Sequence, residues 1–326
     1  MEEKRFRLEQ KVDALCQRDL LAQSRVHPLS GFCPGVWMKR EDESGFGVSG
    51  GKRRKYASLL PWLVQKTPSV IGLIGGANSN HLVAMMQLLR ERSMPFELFV
   101  KASHQKRTKG NAFLIDLLMG DVPVHWVETT QWSQVMKRAQ ETLPPDAVVL
   151  PEGGSCAAAV PGAASLMLDI LRNEGETGQQ FDHIFVDSGT GLSAAALCLA
   201  NAALGRECHI HVVQMADGPA FFTEKLQQVH QWWHLLGLPD TVLPEPIVYA
   251  SATAASFGSV NASVLTEVRR MAKEEGILVD PIYMAKLCLT VRSILSNRQL
   301  SGQMLVVHSG GGTGLMGFDE KLQTRD

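Results

Sequence analysis

The chain has 326 residues, 45% of them hydrophobic and 20% charged, enough for one large or two moderate globular domains with real cores. Its 32 lysines and arginines balance 33 acidic residues to a net charge of -1, which excludes a global field for nucleic acid or an anionic membrane. Cys16, Cys33, Cys156, Cys198, Cys208 and Cys288 are scattered without a zinc-type or dithiol spacing, so no metal is expected and the thiols read as reduced.

The chain opens with MEEKRFRLEQKVDAL, which lacks the apolar core of a signal peptide. No later run is long enough to span a bilayer, so a cytoplasmic address without a membrane partner is the expectation. Residues 6–21 alternate charged and apolar groups at helical spacing, and the pattern breaks at His27-Pro28 and Cys33-Pro34-Gly35. VWMKRED at 36–42 predicts a strand. Next comes SGGKRRKYASLL at 49–60, where a glycine pair delivers Lys52, Arg53, Arg54 and Lys55 ahead of an apolar helical run. Cations packed this closely repel one another, so a solvated basic turn is one reading of them and a functional lysine site is the other.

SVIGLIGG at 69–76 predicts a strand, running directly into the helical pattern ANSNHLVAMMQLLRERS. PFELFVKA, TKGNAFLIDLLMG, VPVHWVE, WSQVMKRAQETL and AVVLPEGG continue as strand, helix, strand, helix and strand. The second half repeats the rhythm with a helix over 158–173, the strand HIFVDS at 183–188, the glycine turn and alanine-rich helix GTGLSAAALCLANAALG, and the strand HIHVVQM at 209–215. A looser region spans 217–259, before the helix VLTEVRRMAKEEG, the segment ILVDPIYMAKLCLTVRSIL and a last strand, QMLVVHS, ending in GGGTG. Such units predict an α/β fold of two open, mostly parallel twisted sheets with flanking helices, and a site in the cleft between them.

Open parallel sheets bind ligands at the carboxyl ends of their strands. There the chain places Asn78-Ser79-Asn80-His81, Glu152-Gly153-Gly154-Ser155, the 188–193 turn, and His308-Ser309-Gly310-Gly311-Gly312. In the 188–193 turn, Gly189 and Gly191 allow close backbone approach, Thr190 and Ser193 add hydroxyls, and the helix it leads into points its positive end at an anion, phosphate above all. A turn built only for tightness is the bland alternative. Gly189, Gly191 and Ala194 also satisfy a loose dinucleotide fingerprint, which keeps a nicotinamide oxidoreductase open, although Gln214, Met215 and Ala216 stand where a ribose-binding acid is wanted. No glycine turn ends in Gly-Lys-Ser or Gly-Lys-Thr, so a triphosphate loop is excluded. Asn78 to Asn80 suit a helix cap, but three polar groups exceed what one cap requires, while His81 by itself reads as a structural helix residue. Tyr283, after Asp280-Pro281, is either a packed ring or a proton relay.

SGGKRRK, GGANSNH, LPEGGS, SGTGLS, EGILVDPIYMAK and VVHSGGGTGLMGF, in this order and across nearly the whole chain, resemble the pyridoxal-phosphate enzymes grouped with D-cysteine desulfhydrase and 1-aminocyclopropane-1-carboxylate deaminase. The resemblance implies fold type II, like the tryptophan synthase β chain, with a larger domain from 1–53 and 161–326 and a smaller one inserted over 54–160. It implies pyridoxal 5'-phosphate bound covalently to Lys52, with Lys55 and the loop Gly189, Thr190, Gly191, Leu192 and Ser193 on the phosphate, Asn80 at the ring oxygen and Ser309 facing the pyridine nitrogen. Ser79 matches the residue near the substrate carboxylate or α-proton, and Tyr283 the active-site tyrosine; Arg53 and Arg54 keep the solvated reading. A homodimer acting on a small amino acid is likewise implied.

The implied reaction is α,β-elimination and deamination, favouring D-cysteine, with the cyclopropane deaminase and lyases of D-serine or a sulfonated amino acid as alternatives. Gly51 departs from the asparagine common before the family's lysine. Met284 departs from the glutamate of the ring-opening deaminases and the threonine common in the desulfhydrases, and with no donor and only a weak acceptor it can replace neither. A catalytically silent binding protein therefore stays among the alternatives.

Overall fold

The computed structural model describes residues 2–102, 109–254, 256, 258–297 and 300–323. Helix α1 (Glu2–Leu15) leads to strands β1 (Val26–Pro28) and β2 (Val36–Arg40) and to helix α2 (Gly50–Lys66). There follow β3 (Ile71–Gly76), α3 (Asn80–Glu91), β4 (Phe96–Lys101), α4 (Asn111–Met119), β5 (Val124–Val127), α5 (Val135–Thr142) and β6 (Val148–Leu150). Helix α6 (Val160–Thr177) returns the chain to β7 (His183–Ser188), α7 (Leu192–Ala203), β8 (His209–Gln214), α8 (Gly218–Leu235) and β9 (Ile247–Ala250). The described chain then runs through α9 (Ala262–Glu275), α10 (Met284–Asn297) and β10 (Met304–His308).

The middle strands form a four-stranded parallel sheet in the order β5-β4-β3-β6. The flanking segments form a six-stranded sheet in the order β1-β2-β10-β7-β8-β9, parallel except for the β1–β2 pair. This is the expected pair of mostly parallel sheets with helical crossovers. Leu59, Leu73, Leu98, Ala163, Ile170, Ile184 and Leu305, drawn from both sheets and from α2 and α6, belong to one continuous apolar core. Burial at roughly 1.5–3 kcal/mol per large aliphatic side chain makes that core the main adhesive between the sheets. Among the described residues no helix is long and apolar enough to cross a membrane, and all six cysteines are free.

Two expectations need correction. The region 217–259 is not loose throughout, because it holds α8 and β9. Phe222, Leu226, Val229 and Trp233 make the buried stripe of α8 at helical spacing, a signal diluted by the polar residues between them. Thr108, at the start of one predicted helix, and positions 255 and 257 of the loose region lie outside the described residues.

The second correction concerns the basic cluster. Arg54 is not solvated: it is buried, donating to Glu41 at 2.5 and 2.7 Å and to Asp169 at 2.7 Å. Lys39 joins the same acids from β2, so three elements, β2, α2 and α6, are tied by one buried ion cluster. Arg53 is half-buried and spends its guanidinium on the carbonyls of Asp19, Leu20 and Ser44.

Candidate active site

The start of α2 is pinned to the end of β10. Gly50 has φ of +64°, and a Cβ there would sit 1.9 Å from the carbonyl oxygen of Ser309, while the N–H of Gly51 donates to that same oxygen at 3.1 Å. Only glycine permits this approach. It brings Lys52 to the cleft with Nζ 5.9 Å from the ring centroid of Tyr283. Burial depresses the Lys52 ammonium, opposed by the charges of Asp187 and Asp280. One turn on, Lys55 is buried and donates to the carbonyl of Gly153 at 2.6 Å. Burial and the neighbouring charge of Lys52 push its pKa down to about 7.

Tyr283 is set by a cap. The carboxylate of Asp280 accepts the backbone N–H groups of Ile282, Tyr283 and Met284 at 2.8, 2.9 and 3.2 Å, fixing the first turn of α10. The tyrosine ring then lies against Gly189, where a Cβ would meet its Cε1 at 3.1 Å. Burial raises the pKa of the Tyr283 hydroxyl and keeps it protonated. Met284 turns away into an apolar cluster with Val213, Met215, Met271 and Leu287.

The polar triplet after β3 divides its work. Ser79 is the cap of α3, its Oγ accepting from the N–H groups of His81 at 3.1 Å and Leu82 at 3.3 Å, which leaves its own proton to donate. Asn80 opens the helix and accepts a hydrogen bond from Asn111 at 2.7 Å. His81 is buried with Nδ1 2.7 Å from the hydroxyl of Tyr56, and burial together with Lys55 and Lys52 pushes its pKa down to about 3. It packs as a neutral helix residue with one nitrogen paired.

Gly191, at φ of +86°, turns β7 into α7, and no side chain caps the first N–H groups of α7. Thr190 rests on Gly153, where a Cβ would meet its Oγ1 at 3.0 Å, and Gly153 is the residue whose carbonyl holds Lys55. The 188–193 turn, Lys55 and the 152–154 turn therefore converge on one spot with helix-dipole and ammonium charge of the same sign. Eight buried side-chain atoms lack hydrogen-bond partners among the described residues; His81 Nε2, Ser155 Oγ, Asp187 Oδ1, Ser188 Oγ and Gln214 Oε1 lie on these strand ends and turns or at the start of α3, and His27 Nε2, Asn201 Oδ1 and Arg206 Nε lie elsewhere. Each unmet group costs about 1–3 kcal/mol, so the cleft is built for a polar guest.

The geometry adds residues that strand-end inspection passed over. Asp187, the penultimate residue of β7, is raised in pKa by burial, a rise that the Ser309 hydroxyl and the charges of Lys52 and His308 oppose and that Asp280 reinforces. Asn111 reaches Asn80 from α4. Neither carries a local motif, because each meets its partner only across the fold. The donor set suits a phosphorylated aromatic aldehyde: an amine for the carbonyl, a cationic helix end for the phosphate, and an amide plus a hydroxyl–carboxyl pair for a polar ring.

A profile of the family described as "Pyridoxal-phosphate dependent enzyme" matches residues 20–310. The chain is 27% identical to a putative 1-aminocyclopropane-1-carboxylate deaminase of Pyrococcus horikoshii, over 88% of this chain and 87% of that one. It is 25% identical to the mitochondrial bifunctional D-cysteine desulfhydrase/1-aminocyclopropane-1-carboxylate deaminase of Arabidopsis thaliana, over 88% of this chain and 74% of the relative. A crystal structure of an ACC deaminase homologue superposes with a TM-score of 0.85 at 23% identity, covering 97% of this chain and 98% of the other. O-ureido-L-serine synthase shares the fold at a TM-score of 0.66 and 15% identity, over 97% and 96% of the two chains.

Proposed function

Because the chain belongs to the pyridoxal-phosphate-dependent enzymes, we propose that it eliminates the β-substituent of a small amino acid, with D-cysteine as substrate and pyruvate, sulfide and ammonia as products. The observation that carries this reading is the desolvated Lys52 amine over Tyr283, beside Lys55 and the open end of α7.

In this reading Lys52 holds the cofactor covalently, Lys55 and the backbone of the turn Gly189, Thr190, Gly191, Leu192 and Ser193 bind its phosphate, and Asn80 and Ser309 hold its ring. When bound, pyridoxal phosphate supplies the electron sink that makes a substrate α-proton acidic. Lys52, set free when the substrate amine takes its place on the cofactor, is desolvated and reachable from the cleft and would take that proton at Nζ. Ser79 donates its remaining hydroxyl proton to the substrate carboxylate. Tyr283, kept protonated by burial, donates to the departing sulfur.

Met284 lies wholly buried among apolar side chains, so no carboxylate follows Tyr283 to assist ring opening. That observation ranks deamination of 1-aminocyclopropane-1-carboxylate second; the names of the relatives in Pyrococcus horikoshii and Arabidopsis thaliana are what favour it. The test is a ketoacid-release screen of the cofactor-loaded protein over D- and L-cysteine, D-serine, a sulfonated amino acid and the cyclopropane substrate. Sulfide and pyruvate from D-cysteine, with a visible band that disappears in Lys52→Ala, are the expected results. A protein that stays colourless with added cofactor, or that releases ketoacid only from the cyclopropane substrate, overturns the proposal.

A further inference from the structure

Asn80 presents an amide to the cleft, and which end of that amide faces a ligand decides what it can bind. The answer follows from a backbone carbonyl. Asn78 O accepts hydrogen bonds and cannot donate, so the group of Asn111 lying 3.0 Å from it is the NH2, Nδ2. That same Nδ2 lies 2.7 Å from the side chain of Asn80, which must answer with its oxygen. The NH2 of Asn80 is thereby turned toward Gly311, where a Cβ would meet it at 3.3 Å, on the cleft side of the helix start. The remaining end of Asn111, its Oδ1, accepts from the hydroxyl of Thr313 at 2.7 Å.

We infer that Asn111 is a positioning residue that locks Asn80 as a hydrogen-bond donor toward an oxygen of the bound cofactor, with Thr313 holding Asn111 from the opposite lobe. The inference rests on the proposed placement of the cofactor in this cleft. Asn111 is buried at the start of α4, on the four-stranded sheet's side, whereas Thr313 follows β10 of the six-stranded sheet. The Thr313–Asn111 bond therefore makes the donor's orientation depend on the two lobes being in register. The junction is braced independently by Lys109, which pairs with Asp319 at 2.9 Å and with Glu320 at 2.8 Å, and by close packing of Gly110 on Gly317. In Asn111→Asp the same shape offers only oxygens to Asn78 O and Asn80 Oδ1, so Asn80 rotates and turns its own oxygen to the cleft.

The experiment compares wild type, Asn80→Ala, Asn111→Asp, Thr313→Val and Thr313→Ser, with Lys109→Gln as a control for the lobe junction. Circular dichroism first establishes that each is folded. Three quantities are read: the dissociation constant for pyridoxal phosphate, the pH midpoint of the visible band, and the side-chain NH2 signals of Asn80 and Asn111 in 15N-labelled cofactor-free protein. An N–H donor stabilises the more negatively charged form of the ligand, so its loss moves the midpoint to higher pH. Asn111→Asp and Asn80→Ala should both weaken cofactor binding about tenfold and raise the midpoint by about one unit. Thr313→Val should follow in the same direction by a smaller factor and shift the NH2 signals, Thr313→Ser should restore wild-type values, and Lys109→Gln should leave the midpoint unchanged. Wild-type values in both Asn111→Asp and Thr313→Val, alongside a shifted Asn80→Ala, overturn this inference and leave the cofactor site standing. Should Asn111→Asp fail to fold, the Thr313→Val and Thr313→Ser pair decides. A wild type that takes up no cofactor overturns both.

Discussion

Helix α2 carries two polar interiors on its two sides, and they are built on opposite terms. On one side Arg54, Lys39, Glu41 and Asp169 form a buried cluster in which every charge has a partner, with Ser24 and Asn173 filling further hydrogen bonds. Burial alone would raise the pKa of Asp169, but Arg54 and Lys39 outweigh it and hold the carboxyl at about 2. On the other side Lys52 and Lys55 are desolvated beside His81, Asp187, Ser188 and Gln214, each of which keeps a buried atom without a partner. Two cations in each interior, drawn largely from one short basic run, thus do different things. A satisfied buried charge cluster ties elements together, and an unsatisfied one waits for a ligand.

The contrast breaks if the two sides respond alike to mutation. Lys52→Ala should lower ketoacid release by about 10³-fold, through loss of both covalent attachment and the proton acceptor, while leaving the urea midpoint of the cofactor-free protein undiminished. Arg54→Met should do the reverse, costing about 3–5 kcal/mol in urea unfolding because Glu41 and Asp169 are left buried without their partner. The glycine pair ahead of the lysines offers a smaller version of the same comparison. Gly50→Ala drives a Cβ into the Ser309 carbonyl at a positive φ and should destabilise by about 2 kcal/mol or more, with loss of the visible band as Lys52 shifts.

Lys55 sharpens the comparison through pH. Its folded pKa is about 7 against about 10.4 in an unfolded chain, so between those values the unfolded state binds more protons and stability of the cofactor-free protein rises with pH. Lys55→Met should flatten that slope. A phosphate bound at Lys55 favours the charged ammonium, so cofactor binding takes up a proton and should weaken as pH climbs from 7 toward 10, by up to about tenfold per unit. Isothermal titration in two buffers of different ionisation enthalpy measures the proton directly. The smallest effect is expected at Gly51, where φ is not positive and an added Cβ meets only Ser193 Oγ at 3.8 Å. Gly51→Ala should stabilise by about 0.5 kcal/mol, which thermal unfolding resolves.

Much of this was legible in the residues. The alternation of short β-rich runs with helical periods gave both sheets, since period and punctuation are local properties of the chain. The strand-end polar clusters were legible too, and the structure brings Lys52, Lys55, Ser79, Asn80, Tyr283, Ser309 and the 188–193 turn to one cleft, because parallel sheets align their carboxyl ends. Arg54 was misread, since nothing in KRRK distinguishes a cation facing water from one facing Glu41 and Asp169. The stripe of α8 was present but thinned by intervening polar residues, and β9 is too short to announce itself.

Sequence by itself determined the class of fold, because period and punctuation are local; Lys52 as the covalent candidate and pyridoxal phosphate as the ligand came from the family resemblance that six ordered motifs carry, since residue type and spacing alone left other readings open. Only the tertiary structure decided how the four cations divide, which residue of the 78–81 segment caps and which faces the cleft, and that Asp187, Asn111 and Thr313 stand behind the site. Those outcomes hang on desolvation and on hydrogen bonds between segments far apart in the chain, such as the 202 positions between Asn111 and Thr313. Charge state and amide orientation are properties of surroundings, and surroundings exist only once the chain has folded.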